Sequence, residues 1–359
     1  MTPTPVTPTP VNRRSLTARI AHWLLAHPRP GLRLLGQREP LWRDGRRLHP
    51  GLQLLLATGA RRAATTADTD WAKARKEMRT MVRLSSPVRA GVLATDRHLP
   101  GDDGPIPVRV YRPASAVGPV PAVVYLHGGG FCVGDLDTHD PSCRVLAERS
   151  GCVVVSVDYR LAPEHVFPAA VDDCVAAYRW VLDHPEDLGI EPGAVGVMGD
   201  SAGATLSAVV CLEARRLGLT QPRMQCLVYP LADVGMRTPS YEIFSEGFGL
   251  TAEGVGVFRD TYVPSPELWD DPRVSPIFAG EFGGLAPALV ITAGFDVLRD
   301  DGRAYADALA AAGVPTTYRC YDDMIHGFHA MLVLDDAAAA ADAIATEVGA
   351  LMRTPPSAP

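Results

Sequence analysis

From about residue 120 to the C-terminus, short apolar runs alternate with longer helical stretches. The runs are AVVYLH (122–127), CVVVSVDY (152–159), AVGVMGD (194–200), CLVYPL (226–231), ALVITAG (288–294) and TTYRCYD (316–322). They are rich in β-branched residues, the texture of strands in a sheet covered on both faces. Helices are predicted between most of them, around 140–150, 168–184, 202–218, 300–312 and 335–352. Such alternation calls for right-handed crossovers, and so for an α/β fold with a mostly parallel central sheet and helices on both faces. Upstream, VRAGVLATDRHLP and IPVRVYRP flank GDDGP and predict a pair of strands around a glycine-rich turn. Between 232 and 280 the rhythm breaks. That segment reads as an insertion able to join residues 13–85 above the sheet.

Residues 1–12 alternate Thr and Pro and predict a disordered or extended tail, because Pro lacks an amide donor and biases its predecessor away from helix. In RRSLTARIAHWLLAH, Leu16, Ile20, Trp23 and Leu24 recur at helical spacing. The Arg13–Arg14 pair faintly resembles a twin-arginine export signal, but the apolar stretch is short, His22 interrupts it and no cleavage site follows. From 38 to 85 the pattern is helical and interrupted, with Asp68 or Asp70 placed to cap the second helix.

Charge refines this picture. The net charge of −7 divides into +12 over residues 1–100 (18 basic, 6 acidic) and −19 over the remainder (16 basic, 35 acidic). A basic N-terminal segment suits an acidic body or an anionic membrane surface, and folding back onto the body is the simpler expectation. No apolar run approaches the roughly 18 residues of a membrane-spanning helix. Seven cysteines form no CxxC pair, so neither a disulfide framework nor a thiol zinc site is expected, and a reducing, cytoplasmic setting fits. Cys132 stands apart because it adjoins a glycine-rich loop.

The sharpest chemical feature is Gly199-Asp200-Ser201-Ala202-Gly203, set between a predicted strand and helix. A G-x-S-x-G turn there exposes the central hydroxyl at a helix N-terminus. A second feature, His127-Gly128-Gly129-Gly130-Phe131, ends another predicted strand. Its side-chain-free backbone can aim amides at a developing oxyanion. A serine nucleophile needs a base, and the base needs a carboxylate. Of ten histidines only His326 and His329 follow the last strand, and His326, before Gly327, is the expected base. Asp296, at the end of the preceding strand, is the expected acid, ahead of Asp300, Asp301, Asp322 and Asp323. The order Ser201…Asp296…His326 is that of α/β-hydrolases.

The chain resembles the hormone-sensitive-lipase-like (family IV) carboxylesterases. HGGGF (127–131), DYRLAPE (158–164), GDSAG (199–203), DVLRDDG (296–302) and HGF (326–328) match that family's motifs in order, and DPRVSP (271–276) is also similar. The resemblance implies an α/β-hydrolase core under a helical cap and hydrolysis of short- to medium-chain acyl esters with no cofactor or metal. It also implies an oxyanion hole of the Gly129, Gly130 and Ala202 amides, with Gly128 and His127 supporting the loop. Val297 and Ala204 depart from the family pattern without touching the reacting groups.

Asp200, Tyr159, Arg160 and Glu164 read as loop-fixing polar residues. Phe131, Trp23 and Trp42 are the apolar pocket candidates. The division expected is a disordered tail (1–12), an N-terminal helical cap region (13–85), a catalytic domain (86–353) with a cap insertion at about 232–280, and a disordered tail (354–359). The partner expected is a small-molecule ester, with no nucleic acid; a homodimer and membrane-surface contact are compatible with the sequence. The rivals are a ligand sensor on the same scaffold and an enzyme that hydrolyses amides or lactones.

Overall fold

Fully apolar runs can be covered on both sides only inside a layered sheet, and that is where they lie. The computed structural model describes residues 25, 27–37, 39–59, 68–85 and 91–354; the Thr/Pro tail, nearly all of the first basic helical stretch and the last five residues lie outside them. Ten strands occur among the described residues: β1 (Trp42–Arg43), β2 (Arg46–Arg47), β3 (Val92–Leu99), β4 (Ile106–Pro113), β5 (Val120–Leu126), β6 (Val153–Val157), β7 (Ile190–Asp200), β8 (Gln225–Val228), β9 (Ala288–Phe295) and β10 (Thr316–Ile325). Eight form one sheet in the order β10-β9-β8-β7-β5-β6-β4-β3. In that sheet β4 runs antiparallel to both β3 and β6, and the other pairings are parallel.

β6, β8 and β9 are buried at every position, which explains why their sequences do not alternate. Helices Asp140–Ser150 and Asp335–Arg353 pack on one another, as do Ala169–Asp183 and Ala202–Arg216, and together they cover both faces of the sheet. The sheet order reverses between β5 and β7, and the loops after these two strands carry the glycine loop and Ser201.

Three helices lie outside this layer near its C-terminal edge. Pro50–Ala57 and Trp71–Ser85 come from the N-terminal region, and Ala252–Tyr262 from the insertion. Asp70 begins the second, its Oδ1 accepting from the Lys73 amide (2.9 Å). Thr251 caps the third through the Gly254 amide (3.0 Å). The region expected to be helical between them and the N-terminus contains the β1–β2 hairpin instead. Asp44 and Gly45 both take positive φ (51° and 73°), the geometry of a tight primed turn, and the Asp-Gly pair was its sequence signal. Arg46 fastens the hairpin to Asp322 (2.9 Å), and Asp44 fastens it to Arg299 (2.6 Å).

Candidate active site

Ser201 sits between the end of β7 and the helix Ala202–Arg216 at φ 53°, ψ −123°, a conformation few non-glycine residues adopt. The flanking glycines make it attainable. A Cβ at Gly203 would overlap the carbonyl of Leu126 on β5, so helix and strand can approach only if residue 203 has no side chain.

His326 follows β10, and its ring spans the gap between Ser201 and β9. Nε2 lies 3.0 Å from Ser201 Oγ, and Nδ1 lies 2.8 Å from Asp296 Oδ2. The other Asp296 oxygen accepts from the Leu298 amide (3.0 Å), and the carboxylate is buried. An imidazole held this way can take a hydroxyl proton at Nε2 while the carboxylate stabilises the cation that results. The rival acids are engaged elsewhere. Asp322 pairs with Arg46, while Asp301 accepts from Thr238 (2.7 Å), Tyr241 (3.2 Å) and the Asp233 amide (3.2 Å). Burial pushes the Asp301 carboxyl up to about 7, and its hydrogen bonds tie the insertion to the helix Arg299–Ala311 that follows β9.

The glycine loop crosses above the same edge. Gly129 has φ 125°, outside the range of L side chains, and a Cβ there would overlap the Val133 carbonyl. The Gly128 amide donates to Asp200 Oδ1 (3.0 Å), which also accepts from Tyr125 (2.8 Å) and lies 3.5 Å from His139 Nε2. Burial alone would push the Asp200 carboxyl up. The charge and hydrogen bond of His139, with help from Tyr125, outweigh it and hold the group below the usual range. Asp200 therefore joins the serine turn to the glycine loop. His127 is wholly buried, stacked on Tyr159 (centroids 4.2 Å apart), with Nδ1 bonded to the Gly128 carbonyl. Burial, reinforced by His139, pushes it down to about 4, so it is neutral near pH 7. Tyr159 donates to the His127 carbonyl (2.6 Å).

Ser201, His326, Gly129, Gly130 and Ala202 all border one cavity of about 390 Å³. Much of its apolar wall comes from the two segments outside the sheet, Leu55, Met78, Met81 and Val82 from one and Leu250, Val255 and Phe258 from the other, and Leu231, Leu298, Met331 and Leu334 add to it from the core. The pocket candidates fare differently. Trp23 lies outside the described residues. Trp42 is 62% exposed on the hairpin and does not line the cavity, because the tight turn carries it to the surface. Phe131 does not line it either. It is buried behind the loop, stacked on Tyr262 with centroids 4.0 Å apart. Three of the residues that do line it, Met78, Met81 and Val82, were signalled by their helical spacing in a helix rich in Lys and Arg. Cys132 is buried, and burial pushes its thiol up to about 12, the state of a core residue. Among the described residues no group of His, Cys, Asp and Glu is arranged to hold a metal ion, and no helix is long and apolar enough to cross a membrane.

A family model described as alpha/beta hydrolase fold matches residues 123–330, and the chain belongs to that family, in its hormone-sensitive-lipase-like (family IV) group. It is 41% identical over 330 residues to the carboxylic ester hydrolase LipN of Mycobacterium tuberculosis, covering 90% of this chain and 87% of that one. Carboxylesterase NlhH from the same organism is 38% identical over 300 residues, covering 82% and 92%. Among solved structures, the hyperthermophilic esterase of the archaeon Pyrobaculum calidifontis superposes with a TM-score of 0.80 at 40% identity, covering 85% of this chain and 98% of that one. An ester hydrolase from the Lake Arreo metagenome, complexed with a derivative of bipyridine phosphonate, gives 0.80 at 41%, covering 86% and 100%. Carboxylesterase activity of the alpha/beta-hydrolase type is what these similarities support.

Proposed function

We propose that the protein hydrolyses short- to medium-chain acyl esters through an acyl-enzyme on Ser201. His326 takes the serine proton as the hydroxyl attacks the ester carbonyl, and Asp296 orients the ring and stabilises its cation. The Gly129, Gly130 and Ala202 amides receive the negative charge of the tetrahedral intermediate. His326 then returns the proton to the leaving alcohol, and a water activated by the same ring releases the acid. The observation that carries the reading is the unbroken contact from Ser201 Oγ to His326 to Asp296, opening onto a cavity with an apolar wall.

The mostly apolar lining of that cavity supports an acyl chain as the group it holds. A cytoplasmic setting is supported by cysteines that are all free thiols.

Ser201→Ala is expected to abolish hydrolysis of p-nitrophenyl butyrate and covalent labelling by a fluorophosphonate probe. Retention of a substantial fraction of wild-type turnover would overturn the reading. A panel of p-nitrophenyl esters from acetate to palmitate should peak at short or medium length, and a peak at palmitate would contradict the chain-length proposal.

A further inference from the structure

The helix Trp71–Ser85 borders the cavity through Met78, Met81 and Val82, yet another of its side chains reaches the backbone behind the glycine loop. Arg75 donates from Nε to the Cys132 carbonyl (2.8 Å) and from Nη2 to the Ala162 carbonyl (2.8 Å). The same guanidinium pairs with Glu164 through Nη1 (2.9 Å) and Nη2 (2.7 Å). Ala162 passes the grip on, because its amide donates to the Phe131 carbonyl (2.9 Å). One cation thus fastens both carbonyls that follow Gly129 and Gly130, the first through Ala162 and the second directly.

The loop transmits this hold. The amides of Cys132 and Val133 both donate to the Gly129 carbonyl (3.1 and 3.0 Å), closing a turn in which residue 132 cannot shift without moving residue 129. Phe131 has φ 62°, which a bulky residue keeps only when its surroundings compel it. Its ring on Tyr262 supplies one restraint and the Arg75–Ala162 chain supplies the other. The task requires a planar fork with several donors at fixed angles, which an ammonium does not offer.

We propose that Arg75 is a positioning residue for ester hydrolysis, setting the orientation of the Gly129 and Gly130 amides from a helix that also shapes the pocket. The inference rests on the reading of those amides given under the proposed function. Arg75→Gln is expected to lower kcat for p-nitrophenyl butyrate about tenfold, short of the roughly 10²–10³ lost with a whole oxyanion donor, while KM stays within about twofold. Arg75→Lys, which keeps the charge for Glu164 without the fork, should show the same fall in kcat; if the Gln variant fails to fold, the Lys variant decides. A role in stability alone would shift the unfolding midpoint and leave kcat per folded molecule unchanged. A Lys variant with wild-type kcat, or a rise in KM at unchanged kcat, would overturn the proposal. An active Ser201→Ala enzyme would sink the underlying reading as well, whereas an inactive one beside a fully active Arg75→Lys enzyme would sink this inference alone.

Discussion

Replacing Asp296 with Asn would change the side chain little in size and reverse its hydrogen-bond chemistry at His326. The backbone decides which way the amide must sit. One Asp296 oxygen accepts from the Leu298 amide (3.0 Å), the other faces His326 Nδ1 (2.8 Å), and the group is 1% exposed. An Asn there keeps its oxygen on Leu298, since the flipped orientation opposes two donors at a cost of roughly 1–3 kcal/mol. Its NH₂ then faces Nδ1, which must become an acceptor, and the ring hydrogen moves to Nε2, the atom that has to accept from Ser201. The charge that steadies the imidazolium is lost too, about 4 kcal/mol for unit charges 4 Å apart at an effective dielectric of about 20. Together these amount to about 5–7 kcal/mol, or roughly 10⁴- to 10⁵-fold in kcat. Hydrolysis of p-nitrophenyl butyrate from pH 6 to 9, with circular dichroism as a check on folding, measures it. A folded Asp296→Asn enzyme with more than about a tenth of wild-type kcat would refute the reasoning, because both terms would then have to be nearly absent.

Three further expectations concern stability. Gly203→Ala should cost about 3 kcal/mol or more, read as a lower urea midpoint at unchanged slope, because the new methyl meets backbone on β5. By contrast Gly256→Ala, inside a helix and with only the end of the Arg259 side chain near its Cβ, should raise stability by up to about 1 kcal/mol; the reverse ranking would contradict the packing described. Burial pushes His127 down to about 4 from the ordinary 6.5, so its neutral form is favoured by folding. Its contribution is fully present above pH 6.5 and is lost as pH falls through 4. Relative to a His127→Phe variant, wild-type stability should therefore fall by about 1.4 kcal/mol per pH unit across that window, and a flat difference would refute the shift.

The central strands from 120 onward were legible because strands buried on both faces must be apolar throughout, a constraint visible without any partner, and the half-exposed edge strand β10 was legible from its β-branched and aromatic residues. The hairpin at 42–47 was not, although Asp44-Gly45 announces it, because the surrounding Arg and Leu spacing also suits a helix. Ser201 and the glycine loop could be read locally, since the backbone demands of a tight turn and a close approach are met by few residue types. Trp42 and Phe131 misled for the opposite reason. Aromatic character says that a side chain is to be buried or stacked, not against what, and Phe131 found Tyr262 while Trp42 stayed at the surface.

The sequence by itself determined the layered α/β architecture and marked the serine turn, because a strand covered on both faces and a G-x-S-x-G turn are each written in neighbouring residues. Tertiary structure decided which Asp faces His326, which helices wall the cavity and that Arg75 holds the glycine loop. Those outcomes depend on contacts between residues far apart in the chain, 57 positions for Arg75 and Cys132 and 87 for Arg75 and Ala162, and the fold brings such residues together without a local pattern that marks them as partners.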